Sequence, residues 1–169
     1  MSEGLVRGEG FAIDASVIEA DASRYHGVEP EKIDWSSVER PTRAVREYLD
    51  ALDSAAEPEA GRKAPKVISP SDPAAQWTGA HKGPAFFAYA DNYLIDVKFG
   101  IIMDVEASRA IRQAEVGASQ TMIERTEATF GIKPEWLAAD TAYGSAPNLH
   151  FLVDEKDIAP HIPVIEKSQ

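Results

Sequence analysis

The hydrophobic pattern of the chain is clearest near its C-terminal end, where a short apolar run stops at an acid. Residues 136–139 are apolar, Asp140 follows, a turn-forming cluster comes next, and a helical pattern begins at Ser145. This order predicts a buried strand with Asp140 at its carboxyl end. In open α/β sheets that edge is where ligands and metal ions bind, although an Asp in this position can also simply cap the following turn.

A second apolar run, near the N-terminus, ends in the same way. Residues 11–13 are followed by Asp14, and a further run over residues 17–23 predicts a second strand or an extended arm. Two strand ends that each present one Asp are what a divalent-metal site needs, because hard cations such as Mg²⁺ bind carboxylate oxygens. Asp14 and Asp140 are therefore the leading candidates for metal ligands, although two such acids also arise by chance.

The strongest β pattern lies in the middle of the chain. Two apolar runs, residues 86–97 and 100–106, meet at a turn over residues 98–100, which predicts a β-hairpin. Asp96 and Asp104 lie near this hairpin and compete as metal ligands. They rank below the two strand-end acids, because a hairpin places its acids wherever the pleat requires, whereas two strand ends converge at one edge.

A long helix is predicted next, over residues 108–130, from apolar residues spaced by three and four. Gly131 ends it and Pro134 prevents its resumption. Such a helix provides the crossover that parallel strands require, so the strand before Asp140 should run parallel to an earlier one. The remaining residues predict a helix from Ser145, with Leu149, Leu152 and Val153 on one face, and a last strand over residues 158–165.

Two segments between the first strand and the hairpin lack a strand pattern. A helix is predicted near residues 38–54, and packing alone accounts for it. Residues 61–84 predict a loose loop rich in proline and glycine, with Trp77 expected to be exposed. Its composition is about equally consistent with a segment that contacts a phosphate backbone and with an ordinary solvated loop. Its basic residues are Arg62, Lys63, Lys66, His81 and Lys82.

Composition sets limits on these assignments. The 169 residues are 44% hydrophobic, which is enough for one domain with a packed core. The absence of cysteine excludes disulfides and thiolate metal sites and fits a cytoplasmic protein. No apolar stretch of the sequence is long enough to cross a membrane, so a soluble protein is expected.

The net charge and the spacing of the histidines limit which ligands the chain is expected to bind. The formal net charge of −11 argues against unaided binding of nucleic acid, because affinity for phosphates rests on Lys and Arg. Any DNA handled by this chain would need positive surface from elsewhere. The four histidines show no paired helical spacing, which predicts that the chain binds no zinc. They are His26, His81, His150 and His161.

Four stretches in sequence order carry a resemblance to a known family. They are residues 12–16 with 20–23, residues 69–73 with Trp77, residues 92–96 with 102–107, and residues 137–145 with 160–164. In these stretches the chain resembles the transposases of bacterial insertion sequences that use an Asp, Asp, Glu triad. Each stretch is short, but their joint order is specific and spans nearly the whole chain.

The resemblance implies a ribonuclease-H-like α/β fold, in which a mixed sheet is flanked by helices and is incomplete at its C-terminal end. It also implies that Asp14 and Asp140 are the first two catalytic acids and bind Mg²⁺ or Mn²⁺. Two such ions activate a water or a DNA 3′-hydroxyl on one side of a phosphodiester and stabilise the leaving oxygen on the other. The implied partner is DNA, as the transposon ends bound by the complete protein. Apart from the resemblance, an exposed apolar face is expected to favour a homo-oligomer.

The chain departs from the family pattern at its C-terminal end. Family members carry their Glu on a helix well beyond the last strand, whereas this chain ends at Gln169 and offers only Glu166 there. We therefore expect a single partial catalytic domain, residues 1–169, whose third acid lies outside the chain and which is inactive alone. The alternative is a non-catalytic remnant, or a protein that only associates with intact transposase.

Overall fold

The computed structural model describes residues 4–6, 8–33, 66–79 and 83–163. These residues form a mixed α/β structure. The chain divides into two compact units, a first unit of Met1–Ser16 with Ala90–Gln169 and a second unit of Val17–Tyr89. The helix predicted near residues 38–54 lies outside the described residues, as do Arg62, Lys63, His81, Lys82 and Glu166.

The described strands are β1 (Gly10–Glu19), β2 (Gln76–Thr78), β3 (Phe86–Asp96), β4 (Ile101–Arg109), β5 (Trp136–Ala138) and β6 (Ala159–His161). In the first unit their order is β4, β3, β1, β5, β6. β5 runs parallel to β1 and to β6. The parallel pairing predicted for the strand before Asp140 is therefore confirmed. β6 covers only the start of the strand predicted over residues 158–165, and residues 164 and 165 lie outside the described residues.

β1 is longer than its hydrophobic pattern predicted. The apolar run ends at Ile13, but the strand continues without a break to Glu19. Phe11 and Ile13 are buried, whereas Asp14 and most residues after it are exposed. The separate strand or arm expected from residue 17 onward is thus the second half of β1, as far as Glu19.

The predicted hairpin is confirmed as β3 and β4, which pair and are joined by a turn over residues 97–100. Gly100 has a φ of 67°, a conformation that residues with a Cβ rarely adopt. Along most of β3, buried and partly buried side chains alternate, as expected for a strand with one face in the core. β4 runs to Arg109, so the following helix starts later than predicted.

Helix α1 (Arg112–Phe130) connects β4 to β5 and ends where the sequence predicted. Gly131 adopts the left-handed conformation, with a φ of 65°, and its N–H donates to the carbonyl of Glu127. The buried face of α1 packs into the main core of the first unit. Members of this core include Phe11, Ile13, Leu94, Met122, Ile123, Leu137 and Leu152.

Helix α2 (Ala146–His150) begins after Ser145, as predicted, and continues into one wider turn over Phe151–Glu155. In this wider turn the hydrogen bonds span five residues, which shifts the helical phase. Leu152 is fully buried, whereas Val153 is 48% exposed. The prediction that Leu149, Leu152 and Val153 share one face is wrong for Val153.

The second unit contains part of the predicted loop. β2 pairs antiparallel with the start of β3, and the backbones of Val28 and Ile68 exchange two hydrogen bonds of 2.8 Å. The ring of Trp77 contacts Phe87 edge-on, with a centroid distance of 4.9 Å, and is partly buried. The expectation that Trp77 is exposed is therefore wrong, because β2 places it beside an aromatic neighbour on β3.

Candidate functional site

The parallel pairing of β1 and β5 sets the positions of the two predicted acids. Ala12 of β1 lies opposite Ala138, the last residue of β5. Asp14 and Asp140 each follow these paired residues by two positions, Asp14 within β1 and Asp140 just beyond the end of β5. Both side chains are exposed. The two acids are thus brought to one edge of the sheet, at the carboxyl end of β5.

Asp14 itself is not at a strand end. β1 continues to Glu19, whereas β5 stops at Ala138. Backbone pairing holds β1 beyond the apolar run, since the N–H of Ala20 donates to the carbonyl of Phe87 at 2.8 Å. The strand-end position predicted for Asp14 is therefore wrong. It is a mid-strand residue that lies beside the end of a shorter neighbour.

Asp140 begins a tight turn, Thr141–Tyr143, and caps it. Its Oδ1 accepts a hydrogen bond of 2.7 Å from the N–H of Ala142, and its carbonyl accepts one from Tyr143 at 3.2 Å. The capping role that the sequence left open is therefore real. A carboxylate has several acceptor positions, so a cap at Oδ1 still leaves Oδ2 able to bind a cation.

A third carboxylate, Glu115 in the first turn of α1, is close enough to the two aspartates for their charges to affect its pKa. It is partly buried, and its pKa is raised by that burial and then by the negative charges of Asp140 and Asp14. The sequence reasoning missed this residue. A signal was present, because Glu115 precedes the buried Ser119 and Met122 by four and seven residues, the spacing of one helix face.

Tyr143, three residues after Asp140, is close enough to the same three carboxylates for their charges to affect its pKa. Its side chain is 3% exposed, and its hydroxyl is buried with no hydrogen-bond partner among the described residues. Burial raises the pKa of Tyr143, and the charges of Glu115, Asp140 and Asp14 raise it further. A buried hydroxyl without a partner costs about 1–3 kcal/mol, so this group is a donor well suited to a bound ligand or a rearranged carboxylate.

Asn148 ties this turn to the helices. It is buried, its Nδ2 donates to the carbonyl of Tyr143 at 2.9 Å, and its Oδ1 accepts from Nε2 of Gln120 at 3.0 Å. One side chain on α2 therefore links the turn after Asp140 to α1. The acids of the site are held by secondary structure of the first unit and by a short, hydrogen-bonded turn.

Asp96 and Asp104, the competing candidates, both have structural partners. Asp96 is buried, and its two oxygens accept hydrogen bonds from the N–H groups of Gly8 at 2.8 Å and Lys98 at 3.1 Å. Asp104 accepts two hydrogen bonds from Arg125, at 2.7 and 3.0 Å. Hydrogen bonds to Asp104 and Glu106 in turn raise the pKa of Arg125. Folding alone accounts for both acids, which supports their lower rank.

Within the described ranges, no three Asp, Glu, His or Cys side chains are placed closely enough together to hold a metal ion. Nδ1 of His150 pairs with Asp154 at 2.6 Å, and the ring of His161 stacks on Trp136 with a centroid distance of 5.0 Å. The absence of zinc and the binding of Mg²⁺ or Mn²⁺ by Asp14 and Asp140 both stay predictions.

No protein-family model matches the chain, and no curated protein is significantly similar to it in sequence. In the part of the chain that the structure describes, no helix has the length and apolar character needed to span a bilayer. The transposase resemblance therefore rests on the residues of this chain alone.

Proposed function

We propose that this chain carries catalytic-core residues of a DDE-type transposase, an enzyme that cuts and joins DNA with Mg²⁺ or Mn²⁺. The observation that carries the proposal is the register of β1 and β5, which brings Asp14 and Asp140 to one edge of the sheet. Ligands of open α/β sheets bind at the carboxyl ends of the strands. Carboxylate oxygens are the donors that these hard cations prefer.

The sheet of the first unit supports the proposal. Its order, β4, β3, β1, β5, β6, with α1 crossing between β4 and β5, is compatible with a ribonuclease-H-like fold. β1 lies inside this order, between the hairpin and the parallel pair of β5 and β6. An acid on β1 and an acid just after β5 therefore have no intervening strand between them.

The two aspartates fit the chemistry in charge and ligand type. When bound, the metal ions polarise the phosphodiester and help to deprotonate the attacking water or 3′-hydroxyl. Asp14 offers an exposed carboxylate from a strand. Asp140 offers one whose Oδ1 is held by the N–H of Ala142, and ligating carboxylates are commonly oriented by such supporting hydrogen bonds.

DNA is the proposed substrate, in the form of transposon ends bound by the complete transposase in the cytoplasm. The formal net charge of −11 opposes unaided contact with a phosphate backbone. Further parts of the transposase, or the other copies in a homo-oligomer, would have to supply the positive surface. We accordingly expect the chain by itself to cleave DNA only in trace amounts and to perform no strand transfer.

Cleavage of linear DNA with Mn²⁺, measured beside Mn²⁺ binding, tests this function. We expect weak binding and any trace cleavage to be lost in Asp14→Asn and in Asp140→Asn. Asp154→Asn, an exposed acid that pairs with His150, is the matched control and should behave like the parent chain. Asp96→Asn should also keep Mn²⁺ binding. Binding that survives both strand-edge variants would contradict the proposal.

The second candidate is a non-catalytic protein that associates with intact transposase. The favouring observation is that Asp140 already caps a turn, while within the described ranges no three ligands are gathered for a metal ion. A chain that binds no Mn²⁺ but changes strand transfer by an intact transposase would support this candidate over the first.

A further inference from the structure

The outer edge of β4 faces no other strand in the part of the chain that the structure describes. Among the described strands, β4 pairs only with β3. It is nine residues long and exposes two apolar side chains, Ile102 at 54% and Val105 at 42%. A long edge strand with exposed apolar side chains is a template for pairing with another chain, and native proteins usually protect such an edge.

Two side chains bind the backbone groups of Val105, the middle residue of β4. Its N–H donates to Oδ1 of Asp104 at 2.9 Å, and its carbonyl accepts from Nη2 of Arg125 at 3.2 Å. The carbonyl of the next residue, Glu106, accepts from Nδ2 of Asn92 on β3 at 2.8 Å. Because successive residues of a strand direct their backbone groups to opposite edges, those of Val105 lie at the outer edge.

Arg125, on α1, holds this arrangement in place. Its Nε and Nη2 donate to the carboxylate of Asp104 at 2.7 and 3.0 Å, and Nη2 lies 2.8 Å from Oε2 of Glu106. A guanidinium presents its donors in one rigid plane, so a single side chain can bind two carboxylates and a carbonyl. We call Asp104, Glu106 and Arg125 the β4 cluster. It lies across the outer edge of the strand, where another strand would have to approach.

The position of Val105 matters for pairing with a second copy of the chain. Four residues of β4 precede it and four follow it. Two antiparallel copies of β4 related by a twofold axis at this residue would place Val105 opposite itself. A residue at the outer edge in that position exchanges both of its N–H···O bonds with its partner. These are the two backbone groups that Asp104 and Arg125 occupy.

We propose that the β4 cluster prevents β4 of one copy from pairing with β4 of a second copy. The inference goes beyond the proposed function and does not rest on it. Pairing would require Asp104 and Arg125 to release the backbone of Val105. It would also bring the carboxylates of two copies together along one pair of strands, and like charges that face each other across strands are destabilising.

Sedimentation equilibrium of the full chain at a series of concentrations tests the proposal. Asp104→Thr/Arg125→Ala keeps the net charge at −11 and releases the backbone of Val105. It should lower the dissociation constant for self-association about tenfold or more, the factor expected from two added backbone hydrogen bonds. Glu29→Thr/Lys32→Ala removes another exposed ion pair, in the second unit, without changing the net charge. This matched control should associate as the parent chain does.

Val105→Pro, added to the Asp104→Thr/Arg125→Ala variant, separates strand pairing from a general gain in adhesion. Proline removes an N–H at the outer edge, where no bond to β3 is lost, so self-association should return to the level of the parent chain. Circular dichroism checks the folding of each variant. If the double variant does not fold, Asp104→Thr alone should show a smaller increase in the same direction.

Three results would overturn the inference. The first is self-association of the folded cluster variant no stronger than that of its control. The second is increased association that Val105→Pro leaves unchanged. The third is a parent chain whose own self-association is lost in Val105→Pro, because its β4 edge would then already be open to a second copy.

Discussion

The acids at the edge of β1 and β5 and the acids of the β3–β4 hairpin have the same chemistry but different surroundings. At the hairpin, Asp96 accepts two backbone N–H groups and Asp104 pairs with Arg125. At the strand edge, partial burial and then the negative charges of Asp140 and Asp14 raise the pKa of Glu115. Backbone donors and Arg125 stabilise the hairpin acids, whereas Asp14 and Asp140 are exposed and each accept one short-range backbone N–H, from Ala15 and Ala142. The surroundings of an acid, more than its type, therefore indicate whether it has a structural role.

The largest effect on stability is expected at Asp96. Asp96→Ala removes the acceptor of the Gly8 and Lys98 N–H groups and should lower the free energy of unfolding by about 3 kcal/mol. Asp14→Ala removes an exposed acid and should change it by no more than about 0.5 kcal/mol. Urea unfolding of both variants measures the difference. Equal losses would show that the two kinds of acid do not differ in structural role.

A substitution at Gly10 tests the pairing of β1 with β5. Gly10 lies opposite Trp136 in this pairing. A Cβ at Gly10 would come within 2.1 Å of the Trp136 ring. Gly10→Ala should therefore cost about 2 kcal/mol of stability and weaken Mn²⁺ binding, because the ring or the strand must shift.

Gly117→Ala is the control for this change. Gly117 lies in α1, where an added Cβ meets no atom within 4 Å, so the variant should gain about 1 kcal/mol. A Gly10→Ala protein as stable as the parent would contradict the close packing of β1 against β5.

The pH dependence of stability in Glu115→Gln tests the surroundings of the edge acids. The pKa of Glu115 lies above its ordinary 4.5, first through burial and then through the charges of Asp140 and Asp14. The folded state therefore holds this proton more tightly than the unfolded state. The resulting stability is complete below pH 4.5 and is lost as the pH rises through the folded pKa.

Glu115→Gln, which cannot ionise, should consequently gain stability relative to the parent chain between acidic and neutral pH, in the absence of metal. Denaturant unfolding at several pH values measures this difference. Parallel pH profiles of the two proteins would show that the environment of Glu115 does not disfavour its charge.

The smallest effect is expected at Tyr143. Because its hydroxyl has no partner among the described residues, Tyr143→Phe should leave stability unchanged or raise it by up to about 1 kcal/mol without metal. Thermal unfolding of the metal-free proteins checks this value. A clear loss of stability would reveal an existing hydrogen bond and remove one support for a ligand at this point.

Local patterns predicted much of the first unit. The apolar runs at Phe11 and Leu137 are strands, the turn at Gly100 joins a hairpin, and Gly131 ends the long helix. Each of these features depends on residues close together in sequence. The parallel direction of β5 also followed, since a helix of this length between the strands provides the necessary crossover.

Other predictions were wrong where distant pairing or an unusual turn intervened. β1 continues past Asp14 because its backbone pairs with β3, a contact between residues far apart in sequence. Val153 is exposed although its spacing from Leu149 suits a shared face, and it lies in the one wider turn that follows α2. The hydrophobic periodicity of a short segment carries no information about either of these effects.

The sequence by itself determined that Asp14 and Asp140 are candidate site residues. Each follows a short apolar run, and such a run is a local property of the chain. Only the tertiary structure decided that Asp96 is buried against Gly8, 88 residues away, and that Glu115 and Tyr143 lie beside the strand-edge acids. Those relations depend on strand register and on the direction of α1. Both arise from packing between distant segments, since burial and charge act through space and not along the chain.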